Sequence, residues 1–473
     1  MRSRYVVVLG AGIAGLATAL ALARDGHDVT LLERDSWEPT GPQEASGWTR
    51  AGIPHFIQPH QFIPGARKVV VEHFPDVYTE LIRAGAYDVD LCRGLTTARC
   101  AGDSDLQHVA VRRPLIEWAL RRAARAEAGI HVIDGANVLG LVLEDGACRG
   151  VMLDGGQLSA DVVVDALGRR SPVRTWLAAR EVPYARQQRS ECGAIYFSRY
   201  YRVRSGRRLP DGRWLLGPRG DLGYMGYVGV PGDSGTFAFA LAVPTGVPEL
   251  KSLRHEAVFD ALVARVPAMR TWADPEVAEP ITPVLPMGGL QNVVDEPEAG
   301  APRGLHAVGD SRGHTDPVLA HGMAFALMHA VELARALRDW PDEADANAAY
   351  VASTLPSLRE RFAFATELDE QRLRMWTGGA VALDRQDGDY ALFSVVAGGA
   401  VALGDADVLR MYARRMGLLE STCVLDDDSS MRRRIEERFR ALRLITRPPE
   451  GPDRGEMFAL IEALQPAVGR HPA

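Results

Sequence analysis

The chain has 473 residues, with 54 Lys and Arg against 61 Asp and Glu, a formal net charge of −7, and five cysteines. At roughly 150 residues per domain, this predicts two to three structural units, and the acidic balance argues against a nucleic-acid partner, which would want a basic face. Cys92, Cys100, Cys148, Cys192 and Cys423 are widely spaced and free of C-x-x-C pairs, so neither a disulfide framework nor a zinc site is expected and a cytoplasmic location fits.

Tyr5 to Glu33 read YVVVLGAGIAGLATALALARDGHDVTLLE. The apolar run Val6 to Leu9 predicts a buried strand, and Gly10, Gly12 and Gly15 follow in G-x-G-x-x-G spacing with Ala14 between the last two. Gly10 allows the tight turn, Gly12 lets a pyrophosphate approach, and Gly15 lets helix pack on strand. Phosphates then meet the amides and positive dipole end of the next helix. Val29 to Leu32 predict a second strand, which delivers Glu33 to ribose hydroxyls with Arg34 beside it. Because that strand series starts at Tyr5, no signal peptide is expected.

Arg34 to Ile63 lacks a clear period and is expected to be a long irregular segment over the cofactor. A helix is expected from Ala66 to Ala84, and another from Arg113 to Ala126 with Pro114 in its first turn. Val132 to Glu144 with Arg149 to Leu153 predicts a hairpin or small meander. Asp161 to Asp165 is a further apolar strand ending at Gly168. Aromatic strand-like runs follow at Ala194 to Val203, Tyr224 to Val230 and Thr236 to Val243, with a short strand expected at Ile281 to Leu285. Gly304 to Asp310 returns to the α/β style, and Met323 to Leu337 reads as a long helix. The remainder is mainly helical, broken at Pro448 to Pro452; Ala391 to Leu403 is too short and interrupted for the ~20 residues of a membrane span and predicts a buried helix or turn.

Three of these pieces, the fingerprint, Asp165 to Arg174, and GDSRGHTDPVLAHGMAFALMHA from Gly309 to Ala330, together resemble the single-Rossmann FAD-dependent monooxygenases, the para-hydroxybenzoate hydroxylase-like superfamily. RAGIPHFIQPHQFIPGAR, Arg50 to Arg67, looks like a divergent copy of a segment from its epoxidase- and halogenase-like branch, with Gly52, Pro54 and His60 matching and His55, Ile57 and Gln58 departing. The resemblance implies that Asp310 binds the flavin ribityl chain and that Arg113, with Arg112 as rival, reaches the phosphate or ribose region. It also implies that the turn from Pro317 to Gly322 aims the helix start at Gly322 and Met323 toward flavin N1, where the dipole would stabilise reduced-flavin charge.

The fold expected is α/β: a Rossmann-type FAD-binding domain (residues 1–175 and 286–340), an inserted antiparallel-sheet substrate domain (176–285) and a helical C-terminal region (341–473). Tyr196, Tyr224, Tyr227, Phe239 and Met287 are substrate-pocket candidates. His60, His314 and His321 are the catalytic candidates, more plausible as hydrogen-bonding or proton-relay groups than as metal ligands, and no metal is expected. As the resemblance implies, NADPH or NADH reduces FAD transiently, molecular oxygen adds at flavin C4a, and one oxygen atom passes to an apolar organic small molecule by hydroxylation or epoxidation, in a setting of secondary metabolism. The alternatives are a flavin-dependent reductase or dehydrogenase, a halogenase-like enzyme, or a cyclase using FAD structurally. Only Lys68 and Lys251 are available to a lysine-dependent mechanism such as the halogenases use.

Overall fold

The computed structural model describes residues 3–36, 38–93, 95–209, 217–383, 385, 388–444 and 450–468. The elements that build the site are, in chain order, β1 (Tyr5–Leu9), α1 (Ile13–Arg24), β2 (Asp28–Glu33), α2 (Arg113–Ala126), β3 (Ile130–Asp134), β4 (Val162–Asp165), β5 (Ala194–Val203) and β6 (Gly226–Pro231). They continue with β7 (Thr236–Pro244), β8 (Gln291–Pro297), β9 (Leu305–Ala307), α3 (Gly322–Asp339), α4 (Glu343–Trp376), α5 (Tyr390–Ala402) and α6 (Ala406–Met416).

Continuous apolar runs become central strands because both faces of a parallel sheet are covered. Val6, Val7, Val8 and Leu9 are fully buried, and the sheet runs β9–β4–β1–β2–β3, with every pairing parallel. One face packs on α1, α2 and α3, the other on a meander of strands Val138–Glu144, Ala147–Leu153 and Gly156–Ser159. The carboxyl ends of β1, β4 and β9 therefore lie side by side, which is where ligands bind in open α/β sheets.

A second sheet is antiparallel, with β6, β7 and β5 adjacent and Leu285–Met287 paired to β5. Its period-2 alternation separates two faces. Tyr196, Ser198 and Tyr200 on β5 stand opposite Ala242, Ala240 and Ala238 on β7, a face of small residues. Phe197, Tyr201, Phe237, Phe239 and Leu241 point the other way, into a core with Trp272 and helix Glu256–Val263. A third small sheet pairs β8 with Ala185–Glu191 and with Gly313–His314.

Three sequence expectations are corrected. The helix expected from Ala66 to Ala84 is two, Pro64–His73 and Pro75–Arg83, because Pro75 cannot donate a hydrogen bond and Phe74 leaves helical geometry. Of the hairpin or meander expected over Val132 to Leu153, Val138–Glu144 and Ala147–Leu153 do pair, and only Ile130–Asp134 departs, turning away at Gly135 (φ +70°) to join β2. The strand expected at Ile281 to Leu285 gives way to Ala278–Pro280 and Leu285–Met287, since Pro283 interrupts the ladder. Ala391 to Leu403 is indeed helical, as α5. Of the expected C-terminal break, Pro448 lies outside the described residues.

The fingerprint glycines have separable jobs. A Cβ on Gly15 would sit 1.8 Å from the Gly10 carbonyl oxygen, whereas a Cβ on Gly12 would meet nothing within 4 Å. Gly15→Ala is therefore expected to destabilise the fold by about 1–3 kcal/mol, while Gly12→Ala stays within about 0.5 kcal/mol of the parent. Urea unfolding midpoints check the contrast.

Candidate functional site

One continuous cavity of about 2230 Å³ runs from the β1–α1 turn, past the ends of β4 and β9, to the small-residue face of the second sheet and on to α5 and α6. Single small-molecule pockets occupy about 300–1,000 Å³. The space is thus ample for an extended dinucleotide together with a second molecule. Gly10, Gly12, Ala14, Glu33, Arg34, Arg113, Asp310, Pro317, Gly322 and Met323 all line it. Gly15 does not, and its part is the close packing of α1 on the β1 turn.

At the first turn, Gly10 adopts φ +93° and its N–H bonds the Leu32 carbonyl at 2.8 Å, holding β1 and β2 together where α1 begins. Glu33 ends β2 buried. Its carboxylate accepts hydrogen bonds from the Ala11 N–H (2.8 Å), the Asp35 N–H (3.0 Å) and Arg50 Nη2 (2.5 Å). A carboxylate has about four acceptor positions, which leaves Glu33 one for a ribose hydroxyl.

Arg50, which the sequence reading valued only as the start of a divergent segment, is the hub of this end. Its guanidinium also reaches Asp35 (2.7 Å), Glu117 (2.8 Å) and the Ala11 carbonyl (3.0 Å). Burial opposes the charge on Arg50, but Glu117 and Glu33 outweigh it and raise its pKa. Burial likewise opposes the Glu117 carboxylate, yet Arg113 and Arg50 hold it below the usual carboxylate range.

Glu117 in turn aims Arg113, which donates to it from Nε at 2.9 Å and lies 2.9 Å from His55 Nε2. The competition between the two arginines is resolved by geometry. Arg112 is forked onto Asp233 through Nε (3.0 Å) and Nη2 (2.7 Å), and does not line the cavity.

The three motif pieces meet at buried Asp165. Its carboxylate accepts from the Leu167 N–H (3.0 Å), Ser171 Oγ (2.6 Å) and Ser311 Oγ (3.0 Å), and so ties the Gly168 turn to the Gly309 turn. Gly309 has φ +57°, and a Cβ there would lie 2.8 Å from Ala14 Cβ, so the turn is pressed onto the fingerprint helix. Asp310 then faces the cavity with Arg169 Nε on one oxygen at 2.9 Å; burial opposes its charge, but the surrounding groups together, with Arg169, which the motif reading did not single out, first among them, hold its carboxyl below the usual carboxylate range.

Asp316 caps the following turn by accepting the Val318 N–H at 2.9 Å, and Ala320 takes a left-handed φ of +56°. These two devices reverse the chain so that α3 starts at Gly322 against the cavity. The first amides of a helix have no intrahelical acceptor, which makes this start a site for negative charge.

The histidine candidates are near the cavity but neutral. His60 Nδ1 lies 2.7 Å from the Gln58 carbonyl, and burial followed by Arg113 pulls its pKa down to about 3. His314 falls to about 4 through burial, and His321 drops well below the imidazole range through burial and then Arg361. His55, absent from the sequence candidates, is held at about 2 by burial and Arg113.

Among the substrate candidates, Tyr196, Tyr227 and Met287 line the cavity. Tyr224 and Phe239 do not. Tyr224 donates to the Pro452 carbonyl at 2.9 Å in the sheet's other core, and Phe239 sits on the face opposite Tyr196, among Tyr201 and Phe237. The pairing of Phe239 with Arg199 puts it on the other parity from Tyr196, and that register is visible only once the strands are paired.

Tyr196 leads to a buried cluster that the sequence did not disclose. Its Oη donates to Asp316 at 2.5 Å, Arg372 Nη2 bridges Asp316 (2.5 Å) and Asp369 (2.8 Å), and Asn292 Nδ2 donates to Asp369 at 2.8 Å. Burial and then Asp316 push the Asp369 carboxyl up to about 8, so the pair of carboxylates retains a proton near neutrality. Cys192, Asp316 and Asp369 place ligand atoms within 4.8 Å of one another, but the Arg372 guanidinium already supplies the cation between the two carboxylates.

Residues 5–117 match the family model for FAD-dependent oxidoreductases. FixC of Salmonella typhi is 31% identical over 168 residues, 35% of this chain, so the match spans only 36% of that relative's length. Protein Rv3254 of Mycobacterium tuberculosis is 27% identical over 71% of this chain and 73% of its own. PqsL of Pseudomonas aeruginosa, described as a probable FAD-dependent monooxygenase, superposes with a TM-score of 0.58 at 18% identity over 80% of this chain and 99% of that one. The fold is that of the single-Rossmann FAD-dependent monooxygenases.

Two predictions follow from these charges. Arg50→Ala takes from buried Glu33 its nearest cation and leaves buried Glu117 with Arg113 alone, and is expected to cost about 3–5 kcal/mol, read as a lower urea midpoint at pH 7. His55, His60 and His314 have folded pKa values below their unfolded value of about 6.5, so the unfolded chain binds more protons and stability falls as pH drops below that value. Unfolding midpoints of the flavin-free protein at pH 7.5, 6 and 5 are expected to decline stepwise; equal midpoints would contradict neutral burial of these rings.

Proposed function

We propose that the protein is an FAD-dependent monooxygenase that takes electrons from NADPH or NADH and hydroxylates or epoxidises an apolar organic molecule, in secondary metabolism. The observation that carries this reading is the single cavity joining the fingerprint turn, Asp310 and the α3 start to an apolar compartment. A pyrophosphate fits the open space at Gly12, ribityl hydroxyls fit Asp310, and a ring with developing negative charge fits the amides at Gly322 and Met323. When bound, FAD supplies the electron transfer and oxygen chemistry.

The chain's own residues bind, orient and exclude water. Arg113, steadied by Glu117, presents a guanidinium to the phosphate or ribose region. Asp165 and Ser311 fix the Gly309 turn, and with it the direction of Asp310. Tyr196 Oη holds a proton against Asp316 at the boundary between the two compartments, where the sheet face and α4 shield it from solvent. Water exclusion protects reactive intermediates from side reactions. Lys68 pairs with Asp105 on the surface, and no lysine is among the described cavity-lining residues, so the halogenase alternative loses its lysine.

The test is substrate-stimulated NADPH or NADH oxidation by the flavin-loaded protein under isotopically labelled oxygen. One labelled atom in the product supports the reading; oxygen-independent reduction of the substrate would replace it with the reductase alternative. Asp310→Ala is expected to weaken FAD binding by about 10- to 100-fold, equivalent to ~1.5–3 kcal/mol for a charged hydrogen bond, measured by calorimetric titration of FAD.

A further inference from the structure

Asp316, Asp369 and Arg372 are all buried, so two carboxyl groups share one cation. Two anions against one guanidinium are unfavourable at that depth, and one proton is retained. Asp316 is the better supplied with donors. Its Oδ1 accepts from Tyr196 Oη (2.5 Å) and the Val318 N–H (2.9 Å), and its Oδ2 accepts from Arg372 Nη2 (2.5 Å). Asn292 locks the pair, accepting the Asp316 N–H through Oδ1 (2.7 Å) and donating from Nδ2 to Asp369 (2.8 Å). Burial opposes the Asp316 charge, but Arg372 and these donors hold its carboxyl below the usual range, which leaves the proton to Asp369.

A fixed polarity toward the cavity results. A phenol hydroxyl has one hydrogen to donate and lone pairs with which to accept. The Tyr196 hydrogen is spent on Asp316, and burial followed by Asp316 raises the phenol well above its usual range, so Oη keeps it. What Tyr196 has left is an acceptor. Arg372 has the opposite surplus: both of its bonds to the carboxyl groups run through Nη2, and among the described residues Nε and Nη1 have no hydrogen-bond partner. The neighbouring Trp376, over which the guanidinium stacks at 4.8 Å, has its N–H spent on Asp221 at 2.9 Å. Tyr196, Asp316 and Arg372 all line the cavity, beside Ala242, the β7 partner of Tyr196. Since one carboxylate holds both, the Tyr196 acceptor and the Arg372 donors stand together in an otherwise apolar wall. Buried donors and acceptors left unmatched are costly.

We infer that the substrate carries a neutral hydroxyl group on its apolar body, and that this hydroxyl docks between Tyr196 and Arg372, donating to Oη and accepting from the guanidinium. One oxygen bearing one hydrogen meets both demands. An ether or ketone oxygen accepts but leaves Tyr196 unmet, an ammonium group donates but faces a guanidinium, and a carboxylate sets a third acid against one cation. A site built to hydrogen-bond a hydroxyl rejects the analogue lacking it far more strongly than one lacking a methylene. The inference deepens the flavin reading and rests on it only in taking the molecule held at Tyr196 to be the one oxidised.

The experiment is calorimetric titration of the flavin-loaded protein with three probes on one ring system: 2-naphthalenemethanol, its methyl ether and 2-naphthylmethylamine. The alcohol is expected to bind one per chain, at least about fivefold more tightly than either of the others. Tyr196→Phe should bring alcohol and ether to within about twofold of each other. Asp369→Asn, which puts an amide where the protonated carboxyl stands, should keep the ranking of the parent. The ranking on the unaltered protein needs no variant to fold. Ether or amine binding as tightly as the alcohol would overturn the inference, as would no binding of the alcohol at all. So would a folded, flavin-loaded Tyr196→Phe protein that keeps the full preference for the alcohol, or an Asp369→Asn protein that loses it. A chain that takes up no flavin overturns the flavin reading; a flavin-loaded chain without the preference overturns only this one.

Discussion

A single buried guanidinium organises the nucleotide end of this protein. Arg50 touches the fingerprint through the Ala11 carbonyl and Glu33, the irregular segment through Asp35, and α2 through Glu117. Neither Glu33 nor Glu117 is tolerable as an anion at its depth without a partner. The consequence reaches beyond stability: Glu117 also holds Arg113, so the charge balance around Arg50 sets the direction of an arginine that lines the cavity. The same hub ties Asp35 to Arg50 within a segment of little regular structure, whose residues from Arg50 to His55 line the cavity.

The second organising constraint is steric. Gly15 and Gly309 are both places where a methyl group would strike its neighbour, Gly10 in one case and Ala14 in the other. These contacts bring the ends of β1, β4 and β9 within reach of one ligand. Asp165 and Ser311 then hold the turns after β4 and β9 to each other. Sheet topology supplies the crevice, and a few small residues and one carboxylate give it its depth.

Much of this was legible from residue order alone. A strand, a glycine-spaced turn, a helix and a second strand ending in Glu33 are local features, and local features survive in a linear sequence. That Asp310, Arg113 and the α3 start come together on one cavity was legible through motif resemblance. What could not be read was pairing across long separations: Arg50 with Glu117, Tyr196 with Asp316, and Arg372 with both Asp316 and Asp369. Tyr224 and Phe239 misled because an aromatic strand residue looks the same whichever face it occupies, and only register with a partner strand decides the face. Helix α5 was legible as buried, but not that half of its covering is a cavity.

The cavity therefore has two chemically distinct halves, one polar and rich in backbone amides, the other apolar and walled by β7, α5 and α6. Asp316 stands at their junction, capping the turn before α3 on one side and receiving Tyr196 and Arg372 on the other. It is buried, and Arg372 is the cation that balances its charge there.

The most direct test of this account is the stoichiometry and redox competence of flavin in the purified, stripped and reconstituted protein. The account predicts one FAD per chain, reducible without loss from the protein, with binding abolished in Gly12→Trp while far-ultraviolet circular dichroism stays unchanged. A folded parent protein that takes up no FAD, or a Gly12→Trp protein that binds it as well as the parent, would contradict it.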